Sequence, residues 1–192
     1  LRSGGYSGLI YTADGASPGA LRNGGLPGVL KAANFGGNAQ SAFGVLKEAS
    51  PSQPAFTAEF WVGWFDQWER AHHFVDGSVK MRDFEYLMRS GASFNLYMFH
   101  GGTTRGLWSG ANREDGYRPT TDCYDYSAPL DESGRPTATY GSMRWTVQRA
   151  LKDQKLPEVP KLAAPASIGE IPLTESCRLL DALPAAVETT AT

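Results

Sequence analysis

The sequence predicts an α/β fold built from parallel β/α units, on three observations. Short apolar runs alternate with stretches of helical spacing along most of the chain. Asp14, Asn34, Glu59 and the Tyr97–His100 stretch all fall near the C-terminal ends of the strand-like runs, where β/α barrels keep their reactive groups. No GxGxxG follows the first strand, Leu9–Thr12. An open doubly wound sheet usually carries such a glycine-rich phosphate loop there, so its absence favours the other arrangement, in which four units make half of an eight-stranded β/α barrel.

Leu1–Gly8 is glycine-rich and too short to form an element by itself. Leu9-Ile10-Tyr11-Thr12 forms the first strand, and Ala13-Asp14-Gly15 stops it. Ser17 is placed to cap a helical turn with Pro18 in its first position, where a missing N–H costs nothing, and Gly24-Gly25 ends the turn. Gly28–Phe35 is the second strand, closed by Gly36-Gly37. Asn38 is the expected N-cap of a helix reaching Ala49, since Ala39, Ala42, Leu46 and Ala49 recur at helical spacing. Pro51-Ser52-Gln53-Pro54 is a turn, followed by an apolar run from Phe56 that carries Glu59.

A second helix is expected from Asp76 or Ser78 to Ser90, with Met81, Phe84, Leu87 and Met88 as its apolar stripe and Gly91 as its stop. Ala92–His100 is the clearest strand and runs into the loop Gly101–Gly106. Leu107–Gly134 has no period and is long for a loop, which marks it as a carrier of function. Pro136 opens a third helix with Tyr140, Met143, Val147, Ala150 and Leu151 on one face. After Lys155 the composition shifts to prolines and alanines, as in a partly extended linker. Ile168–Leu183 is expected to hold a short strand or a turn of helix, and Ala185–Thr192 to fray.

The bulk properties exclude several function classes. The 192 residues suit one domain, or one domain plus a tail. With 18 basic and 20 acidic residues there is no overall electrostatic pull toward nucleic acid or an anionic membrane. No apolar run has the length of a membrane span. The chain starts at Leu1 rather than Met, with no basic, apolar and cleavage regions in order, and is expected to be an internal piece. Cys123 and Cys177 are far apart and suggest neither a disulfide scaffold nor a zinc site. His72, His73 and His100 have no further ligand at fitting spacing, and neighbouring histidines in a strand or loop are expected to diverge. No metal and no cofactor are expected.

Chemistry concentrates in Phe56–Trp68, where the apolar run meets a dense set of aromatics. Glu59 sits at that junction, framed by Trp61, Trp64 and Trp68. Aromatic faces stack on sugar rings and a carboxylate can attack an anomeric carbon, so the stretch fits a sugar-cleaving enzyme. A salt-bridged structural Glu on a Trp-rich surface fits the same residues. Asp66, Asp122 and Asp125 are expected as loop-capping groups.

Four blocks carry a family resemblance. They are Thr57-Ala58-Glu59-Phe60-Trp61-Val62-Gly63-Trp64-Phe65-Asp66-Gln67-Trp68; Gly91-Ala92-Ser93-Phe94-Asn95-Leu96-Tyr97-Met98-Phe99-His100-Gly101-Gly102-Thr103; Gly110-Ala111-Asn112; and Tyr124-Asp125-Tyr126-Ser127-Ala128-Pro129-Leu130-Asp131-Glu132-Ser133-Gly134. In this order and spacing they resemble the glycoside hydrolase family 35 β-galactosidases. Tyr11-Thr12-Ala13-Asp14-Gly15 and Ala33-Asn34-Phe35-Gly36 resemble earlier strands of the same enzymes. The likeness covers most of the chain and weakens after the third helix, where Ile171–Ser176 and Leu179–Leu183 are the familiar pieces. Thr104 and Arg105 stand where the family usually has Asn and Phe, Gln67 where His is frequent and Ser127 where Asp is frequent, differences that bear on leaving-group specificity.

The resemblance implies a (β/α)8 TIM-barrel catalytic domain that removes terminal β-linked galactose with retention of configuration. It makes Glu59 the nucleophile, on the seventh barrel strand. The family's acid/base glutamate lies in an Asn-Glu-Tyr-Gly motif on the fourth strand, which this sequence does not contain. The chain is thus expected to be barrel units five to eight over residues 1–155, with 156–192 as a linker toward a following β-domain. Tyr97 matches a tyrosine beside the nucleophile, and its phenol is expected to hydrogen-bond Glu59. Tyr126 resembles a galactose-contacting tyrosine, with Tyr124 beside it. Trp61 is expected, with Trp64, to wall the sugar site; Trp64 and Trp68 fit core packing equally well. The partners implied are a galactoside or galactose-terminated oligosaccharide and the remainder of the polypeptide, without nucleic acid or membrane. A β-glucosaminidase on the same barrel, or an inactive sugar-binding fragment, are the alternatives.

Overall fold

The computed structural model describes residues 1–183 except Asp76, Leu107, Glu114 and Asp125. The chain divides into two compact units, Leu1–Glu158 and Val159–Thr192. The first unit holds strands β1 (Tyr11–Gly15), β2 (Leu30–Asn34), β3 (Phe56–Phe60) and β4 (Ser93–Leu96), with helices α1 (Pro18–Gly24), α2 (Ala39–Ala49) and α3 (Gly77–Ser90) between them. A hairpin of β5 (Ala111–Arg113) and β6 (Tyr117–Pro119) then precedes α4 (Ala138–Ala150).

β1 pairs with β2 and β3 with β4, both in parallel, and a parallel bridge between Phe35 and Phe60 joins β2 to β3. The four strands therefore lie side by side in chain order, each crossover made by a helix. That order is the β/α repeat expected from the alternation of patterns. The end of the first strand differs. Ala13-Asp14-Gly15, expected to stop the first strand, forms its C-terminal part, because its backbone is paired to Ala32-Ala33-Asn34.

The core lies between the strands and the helices. Phe35, Phe43, Leu46, Phe60, Phe84, Leu87 and Met143 are buried together there, drawn from the residue after β2, from the end of β3 and from α2, α3 and α4. Phe35 meets Phe43 edge-on, with ring centroids 5.5 Å apart, and Phe84 meets Phe94 at the same separation. Burying a large aromatic of this kind contributes about 1.5–3 kcal/mol each, enough to fix which helix face turns inward.

Helix ends follow local chemistry, with one correction. Ser17 Oγ accepts the Ala20 N–H at 3.1 Å and Thr137 Oγ1 the Tyr140 N–H at 3.5 Å, so both termini are capped from their own side chains. Asn38, expected to cap α2, makes no side-chain cap bond and stands in the left-handed region at φ 57°. The Asp83 carboxylate of α3 takes the N–H groups of Asn38 and Ala39 instead, at 2.9 and 2.7 Å. A carboxylate satisfies two orphan donors and complements the positive helix end, which a neutral carboxamide cannot match. α3 starts at Gly77; Asp76 lies outside the described residues.

The segment 107–134, expected to be irregular, contains the β5–β6 hairpin. The strand expected over Ala92–His100 is ordered as β4 only to Leu96, after which the chain turns. In the second unit residues 159–178 and 181–183 are exposed, and among the described residues its one element is the helical turn α5 (Leu179–Ala182). The fraying expected for Ala185–Thr192 falls outside the described residues. Among the described residues no helix is long and apolar enough to cross a membrane.

Candidate active site

Glu59 is the penultimate residue of β3, and its backbone is held from both sides. The Asn34 side-chain oxygen accepts the N–H groups of Ala58 (3.2 Å) and Glu59 (3.0 Å). On the other side, Asn95 Nδ2 donates to the Ala58 carbonyl at 3.1 Å. Between Thr57 and Phe60 the β3–β4 register shifts, so the ladder is irregular at this point and side-chain amides take the place of missing backbone partners. The ladder resumes directly after it, with Trp61 N–H donating to Phe35 O at 2.9 Å and Tyr97 N–H to Phe60 O at 3.0 Å. An irregular ladder next to a carboxylate re-aims that side chain relative to the sheet.

The Glu59 carboxylate is half-buried and accepts a hydrogen bond from the Trp61 indole, Nε1 to Oε2, at 2.8 Å. Tyr97 was expected to be that donor. Among the described residues the Glu59 side chain is held by the Trp61 indole, two residues on. Both rings nevertheless share one cavity of about 520 Å³ with Glu59. Trp64, Tyr124 and Tyr126 line it as well, so the five residues singled out from the sequence, Glu59, Trp61, Tyr97, Tyr124 and Tyr126, face one space. The Tyr97–Met98 peptide at its wall is cis.

The remaining wall comes from Gly36, Gly63, Val75 and Lys80. The Lys80 ammonium donates to the Gly36 carbonyl, reaching from α3 to the end of β2. A Cβ on Gly36 would stand 3.2 Å from Lys80 Nζ and 3.4 Å from Trp61 Cε3, so a side chain there would push on both neighbours. A mixed aromatic wall with one carboxylate and one ammonium suits a polyhydroxylated ligand with an apolar ring face.

The long loop reaches the cavity because it is zipped onto the segment after Glu59. Trp68 N–H donates to Pro119 O at 3.0 Å, Thr121 N–H to Asp66 O at 3.0 Å and Tyr126 N–H to Trp64 O at 2.9 Å. Tyr124 is then packed edge-on to Phe65 and to Tyr97, with centroids 5.7 and 5.8 Å apart. Trp68 is 62% exposed, and Trp64 48%, so neither is a core residue. Asp125 lies outside the described residues.

His72 and His73 do not diverge. Both Nδ1 atoms close on the Asp66 carboxylate, His72 on Oδ2 at 2.5 Å and His73 on Oδ1 at 2.6 Å. The loop bends back on itself here, which brings adjacent side chains to one acceptor. Burial alone would push the Asp66 carboxyl up; hydrogen bonds from the His73 ring and backbone and from the His72 ring outweigh it and hold it below its ordinary value. No group of three or more metal-ligating side chains occurs among the described residues.

Sequence reasoning missed the roles of Asn34, Asn95 and the Asp66–histidine cluster. The signal for Asn34 was present: a polar residue closing an otherwise apolar strand is either at a turn or buried with a purpose, and Asn34 is 5% exposed.

Comparison with known proteins gives a consistent picture. Residues 3–150 match the model of glycosyl hydrolases family 35, a family of TIM-barrel enzymes. A protein of Xanthomonas manihotis named beta-galactosidase is 41% identical over 189 residues, which is 96% of this chain and 31% of that protein. The beta-galactosidase-1-like protein of Mus musculus is 36% identical over 79% of this chain and 23% of its own length, and a beta-galactosidase of Felis catus 35% identical over 91% and 26%. The chain thus spans under a third of the length of these relatives.

Proposed function

Because this chain belongs to glycosyl hydrolases family 35, we propose that it is the second half of the barrel of a retaining exo-β-galactosidase, with Glu59 as the nucleophile. The observation that carries the proposal is the placement of one carboxylate at the end of a parallel strand, in a cavity of about 520 Å³ walled by tryptophan and tyrosine. Among the described residues β1 and β4 each have a single strand neighbour, as the outer strands of a half barrel do. Residues 1–155 supply units five to eight, and 156–192 lead toward a following β-domain.

In the retaining reaction an ionised carboxylate attacks the anomeric carbon while a second carboxyl group, about 5–5.5 Å away, protonates the leaving oxygen. Glu59 takes the first role. The Trp61 indole holds Oε2 at 2.8 Å, which leaves Oε1 for attack. Trp61 and Trp64 offer apolar faces to the sugar ring, and the phenols of Tyr97, Tyr124 and Tyr126 offer groups for its hydroxyls. The acid/base carboxyl comes from the preceding half of the polypeptide. The chain by itself, lacking that group and leaving sheet edges open, turns over no substrate.

The test is an assay of the full polypeptide on matched chromogenic β-galactoside and β-glucosaminide, together with Glu59→Gln. Galactoside cleavage lost in the variant is expected. Cleavage of the glucosaminide alone would overturn the substrate, and retained activity in Glu59→Gln would overturn the nucleophile.

A further inference from the structure

We infer that Asp66 and His73 form a positioning pair that sets the ring of Tyr126 in the galactoside cavity. The inference rests on the reading of Tyr126 as a sugar-contacting residue. Tyr126 lines the cavity with Glu59, yet it comes from the long loop and not from a strand, so something must fix its ring. Its backbone is fixed by the 2.9 Å bond from its N–H to Trp64 O. Its ring lies against the His73 imidazole, with centroids 5.2 Å apart and planes inclined by 25°.

The His73 ring is itself held. Asp66 Oδ1 takes both the His73 Nδ1 (2.6 Å) and the His73 backbone N–H (3.0 Å), a two-point grip that fixes position and ring orientation together. The same carboxylate takes the His72 ring on its other oxygen, and His72 stands edge-on to Tyr126 at 6.5 Å. The Asp66 carbonyl receives the Thr121 N–H at 3.0 Å, so its backbone ties to the loop that carries Tyr126 while its side chain sets the ring beside it. The Asp66 side chain is 14% exposed, while the His73 side chain that it holds is 56% exposed. Loops held only by their backbones leave aromatic side chains free to change rotamer; a stacked, hydrogen-bonded neighbour removes that freedom before substrate arrives.

A residue acting through Tyr126 must lose its effect when Tyr126 can no longer act, whereas a residue that merely stabilises the loop costs the same in either background. The experiment is a double-mutant cycle on the full polypeptide, with kcat and KM measured on a β-galactoside for His73→Ala, Tyr126→Phe and the pair. His73→Ala is expected to lower kcat/KM by about tenfold, chiefly through KM, in the parent and by under about twofold in the Tyr126→Phe background. His73→Phe, which keeps a ring for stacking, is expected to recover most of the loss, and it serves as the readout if the alanine variant folds poorly. Equal costs in both backgrounds, or no cost in the parent, would overturn the positioning role. A Tyr126→Phe variant with unchanged kcat/KM would instead overturn the sugar-contacting role of Tyr126, and the inference with it.

Discussion

The side-chain oxygen of Asn34 accepts the backbone N–H of Glu59 at 3.0 Å and that of Ala58 at 3.2 Å. A buried amide on one strand thereby holds the backbone of the next, at the point where the β3–β4 register slips. Replacing Asn34 by Leu keeps the branched shape of the side chain but removes the acceptor of one buried and one half-buried N–H. The cost expected is about 1–3 kcal/mol, read as a lower denaturation midpoint, with a fall in kcat because Glu59 is no longer aimed. A fall in kcat with no change in midpoint would mean that the amide acts on chemistry alone.

Trp61 donates the one side-chain hydrogen bond that the Glu59 carboxylate accepts among the described residues. Trp61→Phe keeps an aromatic wall and removes the indole N–H. A hydrogen bond to a charged group contributes about 1.5–3 kcal/mol, so a drop in kcat of roughly tenfold to a hundredfold is expected, with a smaller change in KM. Steady-state kinetics on a galactoside check it.

Asp83 lies away from the cavity and caps α2 through Asn38 and Ala39. Asp83→Ala is expected to cost about 1 kcal/mol of stability and to leave kcat/KM unchanged. Urea denaturation and kinetics of the same preparation separate the two effects.

Asp66 gives the pH dependence. Its carboxyl is held low in the folded protein, against the push of burial, by His73 and His72. A depressed folded value means that its stabilisation is fully present above the unfolded value, about 3.9, and is lost as pH falls through the folded one. The acid limb of a stability–pH profile is therefore expected to flatten in Asp66→Asn, with the difference between variant and parent largest near neutrality and vanishing in strong acid. Profiles that run parallel down to the lowest pH would contradict this.

Much of the fold was legible because it depends on periodicity. The alternation of apolar runs and helical stripes marked β1–β4 and α2–α4, and Ser17-Pro18 marked a helix start that the structure caps as expected. Strand ends were less legible, since Ala13-Asp14-Gly15 carries turn residues whose conformation is decided by the neighbouring strand. The α2 cap was illegible for a related reason: its acceptor, Asp83, lies 45 residues from Asn38 in sequence. The cavity-lining aromatics were found by type and family likeness. What holds them was not, because Asn34, Asn95 and the Asp66–His73 grip act across strands and loops that come together only after folding.

The most direct measurement of the central claim is to trap the covalent intermediate. The full polypeptide is incubated with a 2-deoxy-2-fluoro-β-galactoside bearing a good leaving group, digested, and the labelled peptide sequenced by mass spectrometry. The expected result is a single fluorogalactosyl ester on Glu59, within the peptide that spans Phe56–Trp68. A label on any other carboxylate, or inactivation without a covalent sugar, would contradict the assignment.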